Sequence, residues 1–171
     1  MTDRLALTTE RLTLRPPTVA DWAPYAAFMR TDAARHFAGH RSETAAWRSY
    51  GAIMWHWMHL GFGPWAVTET GDDSCVGIVG PKRPAGWPEG EITWIVFAPA
   101  AGRGIAAEAA RAARRDAYDR LGWTTAVSYI EDGNHRSTAL ARRLGCSVDA
   151  EARLPGGPVR AWRHPAPEVA A

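Results

Sequence analysis

Residues 91–109 read EITWIVFAPAAGRGIAAEA, and this stretch decides the fold. Glu91 to Phe97 is rich in β-branched and aromatic residues and reads as the best strand in the chain. Pro99 stops it. Gly102 and Gly104 follow, and a helix is predicted from Ile105 to Leu121. Its Ala106, Ala110, Ala113, Ala117 and Leu121 recur every three or four residues on one face. Side chains this small let a helix lie close to a sheet. Gly122 ends the helix as a left-handed residue would. Glycines at a strand-to-helix turn leave backbone N–H groups free to point outward with no Cβ in the way. The helix N-terminus adds a partial positive charge, so the turn suits a phosphate or pyrophosphate. The same glycines also serve a tight turn with no ligand. Two nucleotide motifs are excluded. A Walker loop needs Gly-Lys-Ser/Thr, and Lys82 is the only lysine; a dinucleotide fingerprint needs a third glycine, where positions 105 to 107 are Ile, Ala and Ala.

Working outward, Arg11 to Arg15 alternates as a short strand ended by Pro16 and Pro17. Thr18 can cap a helix from Val19 to about Met29, and Ser42 with Glu43 begins a second through about Leu60. Trp65 to Glu69 and Cys75 to Val79 read as a hairpin around a turn of Gly71, Asp72 and Asp73. Arg83 to Gly90 is Pro- and Gly-rich loop. Thr125 to Ile130 is a further strand, and Asn134 opens a helix ending at Gly145. Cys146 to Ala152 and Val159 to Arg163 read as a last strand pair around Pro155-Gly156-Gly157, followed by a loose tail from Pro165. Helices set among mostly hairpin-linked strands indicate a mixed α/β sheet, not a regular βαβ repeat.

The 171 residues fit one domain spanning 1–171. A hydrophobic share of 46% and a charged share of 22% argue against a disordered chain. No apolar run approaches the roughly 18 residues of a membrane helix, and the charged N-terminus is not a signal peptide; a cytoplasmic protein is expected. The net charge of +2 comes with arginine almost throughout, the residue usage of a GC-rich bacterial genome, and no basic stripe is interleaved with exposed aromatics to bind nucleic acid. Cys75 and Cys146 form no C-x-x-C and sit in no recognisable activated setting. The nine tryptophans supply core, with an aromatic-lined pocket as the sharper reading.

The run from Glu91 to Phe97, with Pro99, Gly102-Arg-Gly-Ile-Ala-Ala-Glu-Ala109, Asn134-His-Arg-Ser137 and Arg143-Leu-Gly145-Cys146, resembles the GNAT superfamily of N-acyltransferases. The opening Thr9-Glu10-Arg11-Leu12-Thr13-Leu14-Arg15 is similar to the branch containing the ribosomal-protein N-terminal alanine acetyltransferases. The resemblance covers nearly the whole chain. It implies a central, mostly antiparallel twisted sheet of six to seven strands with about four helices, splayed at the cofactor site. It further implies that acetyl-CoA is the cosubstrate, with no metal. Its pyrophosphate would be held by backbone amides of Gly102, Arg103, Gly104, Ile105, Ala106 and Ala107. The strand end Ile95, Val96 and Phe97 would bond the pantetheine like an added strand, and Asn134 would reach that arm. Ser137 matches the position near the thioester sulfur, where it could protonate the departing thiolate. Glu91 matches the strand glutamate that serves as base in some relatives, often through water. Ala101 stands where the family pattern usually has Gln or Arg, and no tyrosine follows Asn134 in its helix, which puts more weight on Ser137.

The implied reaction is direct transfer to a primary amine in a ternary complex, with a small-molecule acceptor. A protein N-terminus is the alternative acceptor, a non-catalytic acyl-CoA-binding regulatory module is an alternative class, and dimers are common in the family. An amine must lose a proton before it attacks a thioester, and a free ammonium is largely protonated at neutral pH; a carboxylate can take that proton, and a strand amide can polarise the thioester oxygen. His36 and His40, four apart, and His56 and His59, three apart, lack the context of metal ligands. In the resembled branch the region between the first two helices shapes the acceptor site, so His36, His40, Arg41 and the tryptophans of the second helix are acceptor-side candidates. His135 is expected to face solvent.

Overall fold

The computed structural model describes residues 5–37, 40–154 and 159–167. Eight strands form one sheet: β1 Leu7–Thr8, β2 Leu12–Arg15, β3 Trp65–Glu69, β4 Asp72–Lys82, β5 Glu91–Val96, β6 Val127–Glu131, β7 Ser147–Asp149 and β8 Val159–Arg163. Their order across it is β1-β2-β3-β4-β5-β6-β8-β7. Every neighbouring pair is antiparallel except β5 and β6, which run parallel and register at a single pair, Glu91 with Val127. Four α-helices accompany the sheet: α1 Trp22–Met29, α2 Glu43–Trp55, α3 Ile105–Asp119 and α4 His135–Arg143. Both edge strands are short, which limits pairing with another chain.

The fold is the mixed, mostly antiparallel sheet expected, with one strand more. Leu7–Thr8 was not foreseen, because two residues carry no period to read. The hairpin strand is also longer than the Cys75–Val79 expected: it runs Asp72–Lys82, so Asp72 and Asp73 belong to the strand and Gly71, at φ +89°, makes the turn. The last strand pair is shorter than expected, β7 spanning only Ser147–Asp149, and the turn at 155–157 lies outside the described residues. Of the expected tail, Pro165 is held by the Tyr118 hydroxyl, which donates to its carbonyl at 2.8 Å, and 168–171 lie outside the described residues.

Strand alternation sends one set of side chains to each face of the sheet. Leu12, Leu14, Trp65, Val67, Val79, Ile92 and Trp94 pack under α3, whose Ala109, Ala110, Ala113 and Ala117 are fully buried. Ala66, Ile78, Ile95 and Phe97 face α1 and α2 and meet Tyr25, Phe28, Met29, Tyr50 and Ile53. The Ser42 side chain caps α2, accepting from the Ala45 amide at 3.2 Å. Beyond Trp55 the expected long helix continues as a π-helical turn, His56–Leu60, closed by Gly61 at φ +70°. Trp47 and Trp55 are exposed on α2, so these two tryptophans are not core.

The N-terminal part of the sheet is fastened to α1 by a buried ion pair. Arg15 donates from both terminal nitrogens to Asp21, at 2.8 and 2.9 Å, while its Nε reaches Asp73 at 2.6 Å. Burial acts to raise the Asp21 carboxyl, but the Arg15 guanidinium and the Thr18 amide outweigh it and hold the group below its ordinary value of 3.8. A depressed carboxyl contributes stability above its unfolded-state value and loses it as the pH falls. Asp21→Asn should therefore cost about 2 kcal/mol at pH 7. In denaturation series between pH 7 and 3, the gap to the parent should narrow below about pH 4.

Candidate functional site

Between β5 and β6 the sheet opens. The Val127 amide donates to the Gly90 carbonyl at 3.1 Å, and one residue further the Ser128 hydroxyl, not a backbone amide, donates to the Ile92 carbonyl at 2.5 Å. Past Ile92 the parallel ladder has no further register pair. Ser128 is held from behind by His164, 2.9 Å away, whose other ring nitrogen meets Arg114 at 3.3 Å. Burial pushes His164 down to about 3, so it is neutral and its hydrogen bonds keep one direction.

The free length of β5 borders a cleft of about 540 Å³, walled by Trp94 and Val96, the glycine turn, and the first turns of α3 and α4. The Phe97 amide donates back to Val76 of β4 at 2.9 Å, which fixes the phase of the strand. Backbone groups alternate sides along a strand. Those of Ile95 and Phe97 therefore face β4, and those of Trp94 and Val96 face the opening. Of the three residues expected to bond the pantetheine, Val96 turns its main chain to the opening, and so does Trp94, which the sequence does not single out. Ile95 and Phe97 also turn their side chains to the α1–α2 face, Phe97 against Phe28 with ring centroids 5.5 Å apart.

At the bottom of the cleft, Gly102 and Gly104 stand at φ +80° and +83°, the left-handed region that glycine enters without strain. Gly104 caps α3, and no side chain caps the helix. The first amides with acceptors are Ala107 and Glu108, which share the Gly104 carbonyl at 3.1 and 3.2 Å. The amides of Gly102, Arg103, Gly104, Ile105 and Ala106 meet no protein acceptor among the described residues. Gly102, Gly104, Ile105, Ala106 and Ala107 all border the cleft. Unpartnered N–H groups at the positive end of a 15-residue helix form an anion cradle.

Arg103 serves the cradle from outside. Its side chain turns away and grips Glu69 with two hydrogen bonds of 2.8 and 2.6 Å. Its carbonyl accepts from Arg11 Nη1 at 3.1 Å, and Arg11 in turn holds Glu108 through Nε at 2.8 Å. Thr9 donates to the same carboxylate at 2.6 Å. The segment Thr9–Arg11 thus pins the first turn of α3.

On the opposite wall, Asn134 caps α4 by accepting from the Ser137 amide at 3.1 Å. The Ser137 hydroxyl accepts from the Trp94 indole at 3.2 Å. The indole has only a donor to offer, so the serine keeps its own proton to give, and it borders the cleft. Glu91 lies elsewhere. It is 4% exposed at the apex where the strands part, 3.5 Å from Lys82, and does not border the cleft. Glu91 precedes Trp94 by three residues, about 10 Å along a strand. Burial pushes its carboxyl up, opposed by the Lys82 ammonium and the Tyr129 amide.

The acceptor-side candidates separate. Arg41 pairs with Asp32 on the surface. His56 is spent, with Nδ1 on the Ala52 carbonyl at 2.7 Å and Nε2 accepting from the Arg83 amide at 3.2 Å. His59 stacks on Trp55. His36 borders the cleft, its Nδ1 on Glu131 at the end of β6 and its Nε2 buried without a partner among the described residues. His135 is exposed, as expected, at the cleft mouth. A second cavity of about 200 Å³ lies under α1 and α2, lined by Tyr25, Met29, Phe37, Ile53, Lys82, Thr93 and Ile95. Phe37 borders both spaces. Burial pushes both thiols, Cys75 and Cys146, up to about 11.

A sheet that parts beside a glycine turn and an open helix N-terminus is the geometry that comparison with known proteins meets. The family model for the acetyltransferase (GNAT) domain matches residues 11–147. Among solved structures, an acetyltransferase from Agrobacterium tumefaciens str. C58 is similar at a TM-score of 0.88 and 31% identity, covering 96% of this chain and 96% of that one. A protein from Bordetella pertussis, described as a GNAT-family acetyltransferase, is similar at 0.75 and 28%, covering 95% and 100%. The microcin C7 self-immunity acetyltransferase MccE, solved with acetyl-CoA and AMP, has a similar fold at 0.69 and 14%, covering 91% and 92%. The match over residues 11–147 spans well over half of the sequence, and the chain belongs to the GNAT acetyltransferase family.

Proposed function

We propose that this protein is an acetyl-CoA-dependent N-acetyltransferase that acts on a primary amine by direct attack in a ternary complex. The observation that carries this reading is the cradle of unpartnered amides at Gly102–Ala106 opening into the same cleft as the free edge of β5. An anion on those amides and an extended amide chain along Trp94 and Val96 are what a pantetheine pyrophosphate offers. Both cysteines hold their protons at neutral pH, which supports attack by the amine itself over an acyl-enzyme.

In this reading Val96 bonds the pantetheine arm, and the main-chain N–H of Trp94 faces the thioester oxygen and stabilises the charge it gains. Ser137 gives its proton to the departing thiolate and is recharged from the solvent or the amine nitrogen. Asn134, with its oxygen committed to the α4 cap, turns its amide donors to the pantetheine. Glu91 stands at the apex and outside the cleft, where burial raises its carboxyl against the pull of the Lys82 ammonium. The small, largely apolar cavity of about 200 Å³ beside Phe37 favours a small amine bearing an apolar group over a protein N-terminus.

Calorimetric titration with acetyl-CoA, followed by a thiol-release assay over small amines and N-terminal peptides, tests the assignment. Binding with thiol release on a small amine is the expected result. Release on peptides alone would move the acceptor to a protein N-terminus, and binding with no release would favour a regulatory module. Gly104→Val should weaken acetyl-CoA binding at least tenfold, since a β-branched side chain at φ +83° distorts the cradle. Unchanged affinity in the folded variant would remove the cradle from the site. Ser137→Ala should lower kcat by about 10- to 100-fold, with acetyl-CoA affinity held within a few-fold.

A further inference from the structure

We infer that His36, held through Nδ1 by Glu131, is the base that takes the proton from the acceptor ammonium. The inference rests on the transferase reading above and names a residue and a role that reading does not assign.

The pair is built from distant parts of the chain. His36 comes from the segment between α1 and α2, and Glu131 closes β6, where the strand has already parted from β5. The carboxylate accepts at Nδ1, so the neutral ring carries its proton there and offers Nε2 as the basic nitrogen. Nε2 is buried and has no partner among the described residues. A buried polar atom left unpaired is costly unless a water or ligand completes it. Here the ring borders the cleft that also holds Trp94 and Ser137, and its neighbour Phe37 borders the apolar cavity as well. An amine whose apolar part fills that cavity brings its nitrogen past His36 on the way to the thioester. Glu91 Oε2 is also buried without a hydrogen-bond partner among the described residues, but it faces Lys82 at 3.5 Å and the residue does not border the cleft.

The protons balance. The substrate ammonium carries three and the product amide keeps one. One passes to His36 Nε2, forming an imidazolium beside the Glu131 carboxylate, and then to solvent. With its lone pair free, the nitrogen attacks the thioester carbon. The carbon–sulfur bond breaks with its electron pair on sulfur, and the second proton ends on the coenzyme A thiol by way of Ser137. His36 is the catalytic group in this scheme, and Glu131 is a positioning residue that holds the ring in the tautomer protonated at Nδ1. The other charged or titratable groups at the cleft are Arg35 from the same segment and His135, Arg136 and Arg143 from α4; the arginines oppose the imidazolium.

Two measurements on the full chain test the assignment. In nitrogen-15 NMR of histidine-labelled protein, with the His36 signals identified by their loss in His36→Gln, the neutral ring should carry its proton on Nδ1. In Glu131→Gln that preference for Nδ1 should weaken. A neutral ring protonated at Nε2, or a tautomer unchanged in Glu131→Gln, would overturn the inference without needing an acceptor. In the pH–rate profile with the best amine of the panel, His36→Gln should lower kcat/KM about 100-fold near pH 7. Acetyl-CoA affinity should stay within about threefold. The lost rate should return as the pH rises and the amine deprotonates by itself. Glu131→Gln should lower kcat with acetyl-CoA affinity held within about threefold and the rate returning at high pH, as in His36→Gln, which loss of a purely structural contact would not do. A parent-like acid limb in His36→Gln, or loss of that limb in Glu91→Gln instead, would overturn His36 as the base. Acetyl-CoA binding and thiol release by the parent would still support the transferase reading.

Discussion

Two parallel strands that stop pairing after one register position create this site. Everything around β5 and β6 keeps them apart beyond that point and satisfies what the parting leaves behind. Ser128 takes the Ile92 carbonyl that a backbone amide would otherwise hold, and His164 and Arg114 brace Ser128 from the far side. Glu91 fills the apex beside the Tyr129 amide. The cost of an interrupted ladder is thus met by side chains, and Trp94 and Val96 are left with main-chain donors and acceptors for something outside the protein.

The helix facing that gap is prepared in the same way. α3 begins with no side-chain cap, which would leave its N–H groups unsatisfied if nothing bound there. Its alanines allow it to sit against the sheet, so the unsatisfied end points into the cleft rather than to open solvent. The acidic residue that commonly steadies a helix start is present as Glu108, but it is drawn outward to Thr9 and Arg11. The positive end of the helix is therefore left clear of carboxylates on the cleft side.

Much of this was legible because glycine and proline punctuate the chain. The strand ended by Pro99, the Gly102 and Gly104 turn, and the alanine-faced helix were all visible, as were the caps at Ser42 and Asn134. What could not be read depends on partners. Ile95 and Phe97 looked equivalent to Val96 until β4 fixed which backbone groups point across the gap. Glu91 is a candidate base by its match to the family's strand glutamate, and only its register opposite Lys82 and Val127 shows that it stands at the closed end of the gap. His36 and Glu131 are 95 positions apart, and no local pattern joins them. The same holds for Arg11, which is an ordinary strand residue in sequence and a brace for the glycine turn in space.

Arg11 ties the free energy of the sheet's edge to that of the anion cradle. It stands just before β2 and reaches both the Arg103 carbonyl and Glu108, so the edge hairpin β1–β2 and the first turn of α3 share one fastening. A ligand that binds the ordered turn and not the frayed one shifts both, and does so by an amount that grows with the logarithm of its concentration over Kd. Acetyl-CoA supply would then set how long the N-terminal edge stays closed to proteases, and a lesion in that edge would register first as weakened cosubstrate affinity, well away from the residues that touch it.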